Sequence, residues 1–133
     1  RTRGMTSYTS LWLDAVSKNQ PVFVENPEEK QSWLYVDDMV DAILTFWNTE
    51  HLTQRFYNLD GQVFTPREFM EAARKVVPDA KISYAEKATS KNPYKSAFSY
   101  DDTAFKRDTG WAPKFTLEAA VRAHLQVLKN MNG

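Results

Sequence analysis

Three carboxylates stand within five positions in the stretch SWLYVDDMVDAI, residues 32–43: Asp37, Asp38 and Asp41. Paired carboxylates can share acid and base roles or hold a metal ion. A metal needs more ligands than the two aspartates supply, and the nearest histidine, His51, lies beyond a full helix from them. The apolar run before the pair and the different apolar pattern after it suggest a third use. An Asp at the start of a helix accepts backbone N–H bonds and meets the positive end of the helix dipole. The expectation is that Asp37 reaches the N–H of Val40 and Asp38 that of Asp41. His51 and His124 are the only histidines, and neither sits in a context resembling a nucleophile elbow. There is no cysteine, which removes thiolate chemistry and a disulfide framework. The four glycines, at positions 4, 61, 110 and 133, are too scattered to draw a glycine-rich dinucleotide loop or a P-loop. No catalytic and no metal-binding residue is assigned on these grounds.

The elements that position these residues follow from periodicity. Met5, Tyr8, Trp12, Ala15 and Val16 form a helical stripe capped by Thr6 or Ser7 and ending near Asn19, before Pro21. VFVE (22–25) is a short strand, and Asn26-Pro27 opens a turn. Trp33, Leu34, Tyr35 and Val36 favour a strand. Met39, Val40, Ile43, Leu44 and Trp47 then form the apolar stripe of a helix expected to bury that face. RFYNLDG (55–61) has the pattern of a strand ending in a turn. In TPREFMEAARKVVP, Thr65 caps, Pro66 takes the first helical position and Glu68 completes a capping box. Phe69, Met70, Ala73, Val76 and Val77 make that helix's inner face, and Pro78 stops it. KISYAE (81–86) alternates as a strand, KATSKNPYK (87–95) is a polar loop, and SAFSY (96–100) has short-strand character. Asp101 or Asp102 caps a helix that Gly110 closes. Thr116 caps a last helix with Leu117, Val121, Leu125 and Leu128 on one face.

Strands alternating with helices define an α/β protein, and 133 residues fit one domain. The few short strands suggest a sheet that is completed by something else. Seventeen basic and seventeen acidic residues cancel, so electrostatics give no ground for nucleic acid or an anionic membrane as partner. The apolar runs are too short to span a bilayer, and a cytoplasmic location is the default expectation.

Several runs together resemble the extended short-chain dehydrogenases/reductases, the NAD-dependent epimerase/dehydratase family. WLYVDDMVDAI resembles the family's strand–Val-Asp-Asp–helix signature, and FYNLDG and TPREFMEAARKVV resemble the strand and helix that follow. TGWAPKFTLEAAVRAHL resembles the family's C-terminal ending, and RTRGMTSYTS the segment just after its Tyr-Gly-Pro turn. The motifs occur in family order and match the C-terminal part only. The resemblance implies that residues 1–133 are a substrate-binding domain that includes the last strand–helix elements of the Rossmann fold and lacks the Rossmann half itself.

That half carries the dinucleotide loop and the catalytic Tyr-x-x-x-Lys. None of the six tyrosines here has a lysine four residues on; Tyr84 and Lys87 are one short. The resemblance therefore implies NAD or NADP in the full-length protein, with none bound by this chain alone. It implies a sugar or nucleotide-sugar substrate lined by Arg3, Met5, Thr6, Ser7, Gln31 and Trp33, and a missing Rossmann half as partner. Many nucleotide-sugar members carry an arginine seven residues before the second Asp, where a bidentate guanidinium clamps the diphosphate. Gln31 occupies that position, which makes a smaller sugar acid, a free sugar derivative or another hydroxyl or carbonyl compound a competitor to a nucleotide sugar. A stand-alone, non-enzymatic α/β binding module is the alternative, and self-association through exposed sheet edges is a further expectation.

Overall fold

The computed structural model describes residues 8–87 and 99–133. It is α/β, with five helices and four three-residue strands among those residues. In chain order these are α1 (Tyr8–Ser17), β1 (Val22–Val24), β2 (Gln31–Trp33), α2 (Val36–Trp47), β3 (Gln62–Phe64), α3 (Pro66–Val76), β4 (Ile82–Tyr84), α4 (Thr103–Thr109) and α5 (Leu117–Asn132). They fall into two compact units. The described residues of the first are 8–29, 65–87 and 116–133, and those of the second are 30–64 and 99–115.

In the first unit β1 and β4 run parallel, with Val22, Phe23 and Val24 opposite Ile82, Ser83 and Tyr84. Val22 and Val24 point inward and Phe23 outward, as the pleat requires. Helices α1 and α3 both pack on α5. Their buried positions are Leu13 and Val16 of α1, Phe69, Met70 and Ala73 of α3, and Val121 and Leu125 of α5. These spacings of three and four residues are the expected inner faces of α3 and α5. Asn19 adopts φ 55°, the left-handed conformation that asparagine tolerates, and ends the turn after α1. The capping box of α3 is formed: Thr65 Oγ1 accepts from Glu68 N at 3.1 Å, and Glu68 Oε2 accepts from Thr65 N at 2.7 Å. Thr116 caps α5 through Ala119 N at 3.2 Å.

In the second unit β2 and β3 are antiparallel, with Gln31, Ser32 and Trp33 opposite Phe64, Val63 and Gln62. Ala42, Phe105 and Trp111 are its buried centre, flanked by Leu34, Phe46, Tyr57 and Leu59. The rings meet edge to face: Phe105 and Trp111 centroids lie 5.8 Å apart at 67°, and Phe46 and Tyr57 5.8 Å apart at 69°. Gly110 closes α4 at φ 70°.

Four expectations need correction. The strand placed at 33–36 lies at Gln31–Trp33, because Val36 already begins α2. Residues 55–61 form no strand; the ladder begins only at Gln62. The N-cap of α2 is Tyr35, without a side-chain cap bond, and Asp37 and Asp38 lie inside the first turn. Most telling, α2 buries Asp38 and Ala42, while Val36, Met39, Val40, Ile43, Leu44 and Trp47 are exposed. The apolar stripe faces outward. The N-cap expected at Thr6 or Ser7, the loop at Asn92-Pro93 and most of SAFSY lie outside the described residues. Among the described residues no helix is long and apolar enough to cross a membrane.

The box around Thr65 gives a local test of the first unit. Thr65→Ala should lower stability by about 1 kcal/mol in denaturant unfolding, with Thr65→Ser losing less. An unchanged midpoint for Thr65→Ala would show that the box contributes nothing.

Candidate functional site

The second unit is built around one buried carboxylate. Asp38 is 2% exposed. Its Oδ1 accepts from Lys114 N at 2.8 Å and its Oδ2 from Phe115 N at 3.3 Å. A buried carboxylate is tolerated when its oxygens are hydrogen-bonded, and each accepts one backbone N–H here. One turn on, Asp41 accepts from Trp111 Nε1 at 3.0 Å and from Lys114 Nζ at 2.7 Å. The bond from Lys114 is the main reason the Asp41 carboxyl is held below its ordinary value; partial desolvation opposes it. Gln62 Nε2 adds a bond to Phe115 O at 2.8 Å, and the Phe115 ring lies 4.7 Å from that of Tyr35. The aspartates of SWLYVDDMVDAI therefore strap the segment Trp111–Phe115 of TGWAPKF against α2. Two motifs more than 70 residues apart form one structure.

Strand β2 carries Gln31 and Trp33 on one side of the pleat and Ser32 on the other. Ser32 Oγ donates to Asp60 Oδ1 at 2.5 Å. Asp60 is only 8% exposed, and it also accepts from Ser99 Oγ (2.5 Å), Tyr100 N (3.0 Å) and Gly61 N (2.9 Å). Burial is the largest single influence and raises its pKa, but the donors from Ser32, Ser99, Tyr100 and Gly61 together outweigh it and hold the carboxyl below its ordinary value. Gly61 makes this approach possible: a Cβ there would lie 2.0 Å from Trp33 O. Sequence reasoning missed Asp60. The signal was an acidic residue directly before the glycine of a turn, a position where carboxylates bond nearby N–H groups.

Of the residues expected to line a substrate, Gln31 and Trp33 lie together on β2, both half-buried. Arg3, Met5, Thr6 and Ser7 fall outside the described residues. A cavity of about 190 Å³ opens beside α2, lined by Ala42, Ile43, Phe46, Tyr57, Leu59 and Phe105. Its walls are apolar, apart from the Tyr57 hydroxyl, which donates to Asp108 Oδ2 at 2.6 Å. Among the described residues no three His, Cys, Asp or Glu side chains come close enough to hold a metal ion. Gly61 is committed to its contact with Trp33, and Gly110 to the end of α4.

No protein-family model matches the sequence. The chain is similar to the mitochondrial L-threonine 3-dehydrogenase of Sus scrofa, 30% identical over 126 residues, which are 92% of this chain and 34% of that protein. Among solved structures, a partial consensus L-threonine 3-dehydrogenase is similar at 25% identity and a TM-score of 0.76, over 92% of this chain and 42% of that one. A UDP-glucuronic acid 4-epimerase from Bacillus cereus in complex with NAD shares the fold, with a TM-score of 0.73 at 11% identity, over 93% of this chain and 38% of that one. The chain is similar to part of these extended short-chain dehydrogenases/reductases. It spans about a third of the length of the curated relatives it matches.

Two measurements test this geometry. Asp38→Ala leaves the Lys114 and Phe115 amides without their acceptor, and should lower unfolding free energy by about 1–3 kcal/mol. A loss under half of that would mean that the strap is held by other contacts. Asp60, with its folded pKa below the unfolded one, contributes stability that is complete above the unfolded value and lost as pH falls through the folded value. The stability gap between wild type and Asp60→Asn should therefore narrow as pH drops below about 4. A gap constant with pH would contradict the bonded carboxylate.

Proposed function

We propose that residues 1–133 are the substrate-binding portion of an NAD- or NADP-dependent dehydrogenase, and that the substrate is a small hydroxylated compound of the L-threonine kind rather than a nucleotide sugar. The similarity to L-threonine 3-dehydrogenase over 92% of the chain carries this reading. Gln31 supports it, since an uncharged amide cannot give a diphosphate the charged, bidentate clamp that arginine provides. On this reading Arg3, Met5, Thr6, Ser7, Gln31 and Trp33 line the substrate. The amide of Gln31 would bond its polar groups, and Trp33 would supply an apolar wall.

The nicotinamide cofactor, when bound, supplies the hydride acceptor. By the family resemblance, the residues that would bind it, and the tyrosine–lysine pair that would move the proton, lie outside the motifs this sequence carries. The chain alone is accordingly expected to be inactive, because substrate positioning without the acceptor and the base gives no turnover.

The test is a chimera in which residues 1–133 replace the matching third of the pig enzyme. It should form NADH from L-threonine and leave UDP-glucose unchanged, while the 133-residue chain alone forms none. Gln31→Ala in the chimera should lower kcat/KM by about tenfold or more, the usual cost of losing a bond to a substrate polar group. NADH formation by the isolated chain, or epimerisation of UDP-glucose by the chimera, would overturn the reading.

A further inference from the structure

Asp60 is a buried carboxylate that the proposed chemistry does not use, and it stands behind the strand that carries Gln31 and Trp33. Strand β2 is three residues long, and among the described residues its bonded neighbour is β3, also three residues long. So short a two-stranded ladder is weakly held by its own bonds. Its register nevertheless decides what the strand presents. Successive side chains alternate, so a slip by one residue turns Gln31 and Trp33 to the side where Ser32 now points, and Ser32 to theirs. Something besides the ladder must fix the register.

The bonds on the Ser32 side do so. Ser32 Oγ donates to Asp60 Oδ1 at 2.5 Å and accepts from Gly61 N at 3.1 Å. The other carboxylate oxygen, Oδ2, accepts from Ser99 Oγ at 2.5 Å and from Tyr100 N at 3.0 Å, so Asp60 is itself anchored to the segment before α4. The backbone closes on the strand from the next residue: a Cβ on Gly61 would lie 2.0 Å from Trp33 O and 2.8 Å from Leu34 N. A slipped strand would set the Gln31 or Trp33 side chain against Asp60. A site this enclosed takes a serine hydroxyl but not an indole.

We propose that Asp60, acting through Ser32, is a positioning residue for the substrate site: it locks the register of β2 and so holds Gln31 and Trp33 toward the substrate without touching it. This rests on the reading that Gln31 and Trp33 line the substrate. The signature lies in substrate binding. A slipped or tilted β2 misplaces both side chains, which raises the KM for L-threonine and leaves the KM for NAD as it was. A purely structural loss lowers the folded fraction, and so kcat, with both KM values unchanged.

The experiment uses the chimera of residues 1–133 with the pig enzyme and, separately, the 133-residue chain. In the chimera, Ser32→Ala and Asp60→Asn should each raise the KM for L-threonine about tenfold. The double variant should be no worse than the worse single variant, because the two residues act as one unit. Ser32→Thr, which keeps the hydroxyl, should restore the KM to within about twofold of wild type. In the chain alone, cross-strand NMR contacts between Trp33 and Gln62 should be present in wild type and lost in Ser32→Ala and Asp60→Asn, while contacts around Val121 and Leu125 of α5 persist. An unchanged KM in both single variants, or effects that multiply in the double variant, overturns the proposal. So do Trp33–Gln62 contacts that survive in both variants, a readout that needs no turnover. A wild-type chimera inactive on L-threonine would instead overturn the substrate reading, and the NMR contacts would still decide whether Asp60 holds the register.

Discussion

The second unit depends on the buried carboxylate of Asp38. A charge with 2% exposure is stable only if backbone donors replace its water, and the amides of Lys114 and Phe115 do so. That requirement fixes the path of Trp111–Phe115. Once it is fixed, Trp111 is placed against Phe105 and its indole N–H reaches Asp41. Gln62, at the start of β3, takes up Phe115 O. The sheet, the helix and the strap are thus tied by a few directional bonds around a small aromatic centre. Such bonds to charged groups are stronger than neutral ones and leave less freedom in register.

Asp60 plays a comparable part on the far side of β2. Its four donors come from Ser32, Gly61, Ser99 and Tyr100, so it joins the strand to the segment that leads into α4. The side chains of β2 divide accordingly. Ser32 serves the scaffold, and Gln31 and Trp33 lie on the other side of the pleat.

What the sequence shows directly is local. The capping box at Thr65 and Glu68, the Thr116 cap and the left-handed Gly110 each involve residues within a turn of one another, and all three are formed. What it does not show is long-range. Asp38 looks like a cap because caps are the common use of Asp before an apolar stripe; its real donors lie 76 and 77 positions away. The stripe of α2 has the right period but the wrong address. Periodicity tells which residues share a face, not which of two faces the chain itself covers. In the same way RFYNLDG has strand chemistry without a strand, since β-propensity expresses itself only against a neighbour. The family resemblance rested on these same motifs, and the matched relatives bear it out.

The strap itself can be observed amide by amide. In wild type, the Lys114 and Phe115 amides donate to Asp38 and should exchange with deuterium far more slowly than the exposed amide of Ala112. In Asp38→Ala both should exchange at the rate of an unprotected loop, while α5 amides around Val121 and Leu125 keep their protection. If Lys114 and Phe115 remain protected without the carboxylate, Asp38 is not what holds the second unit together.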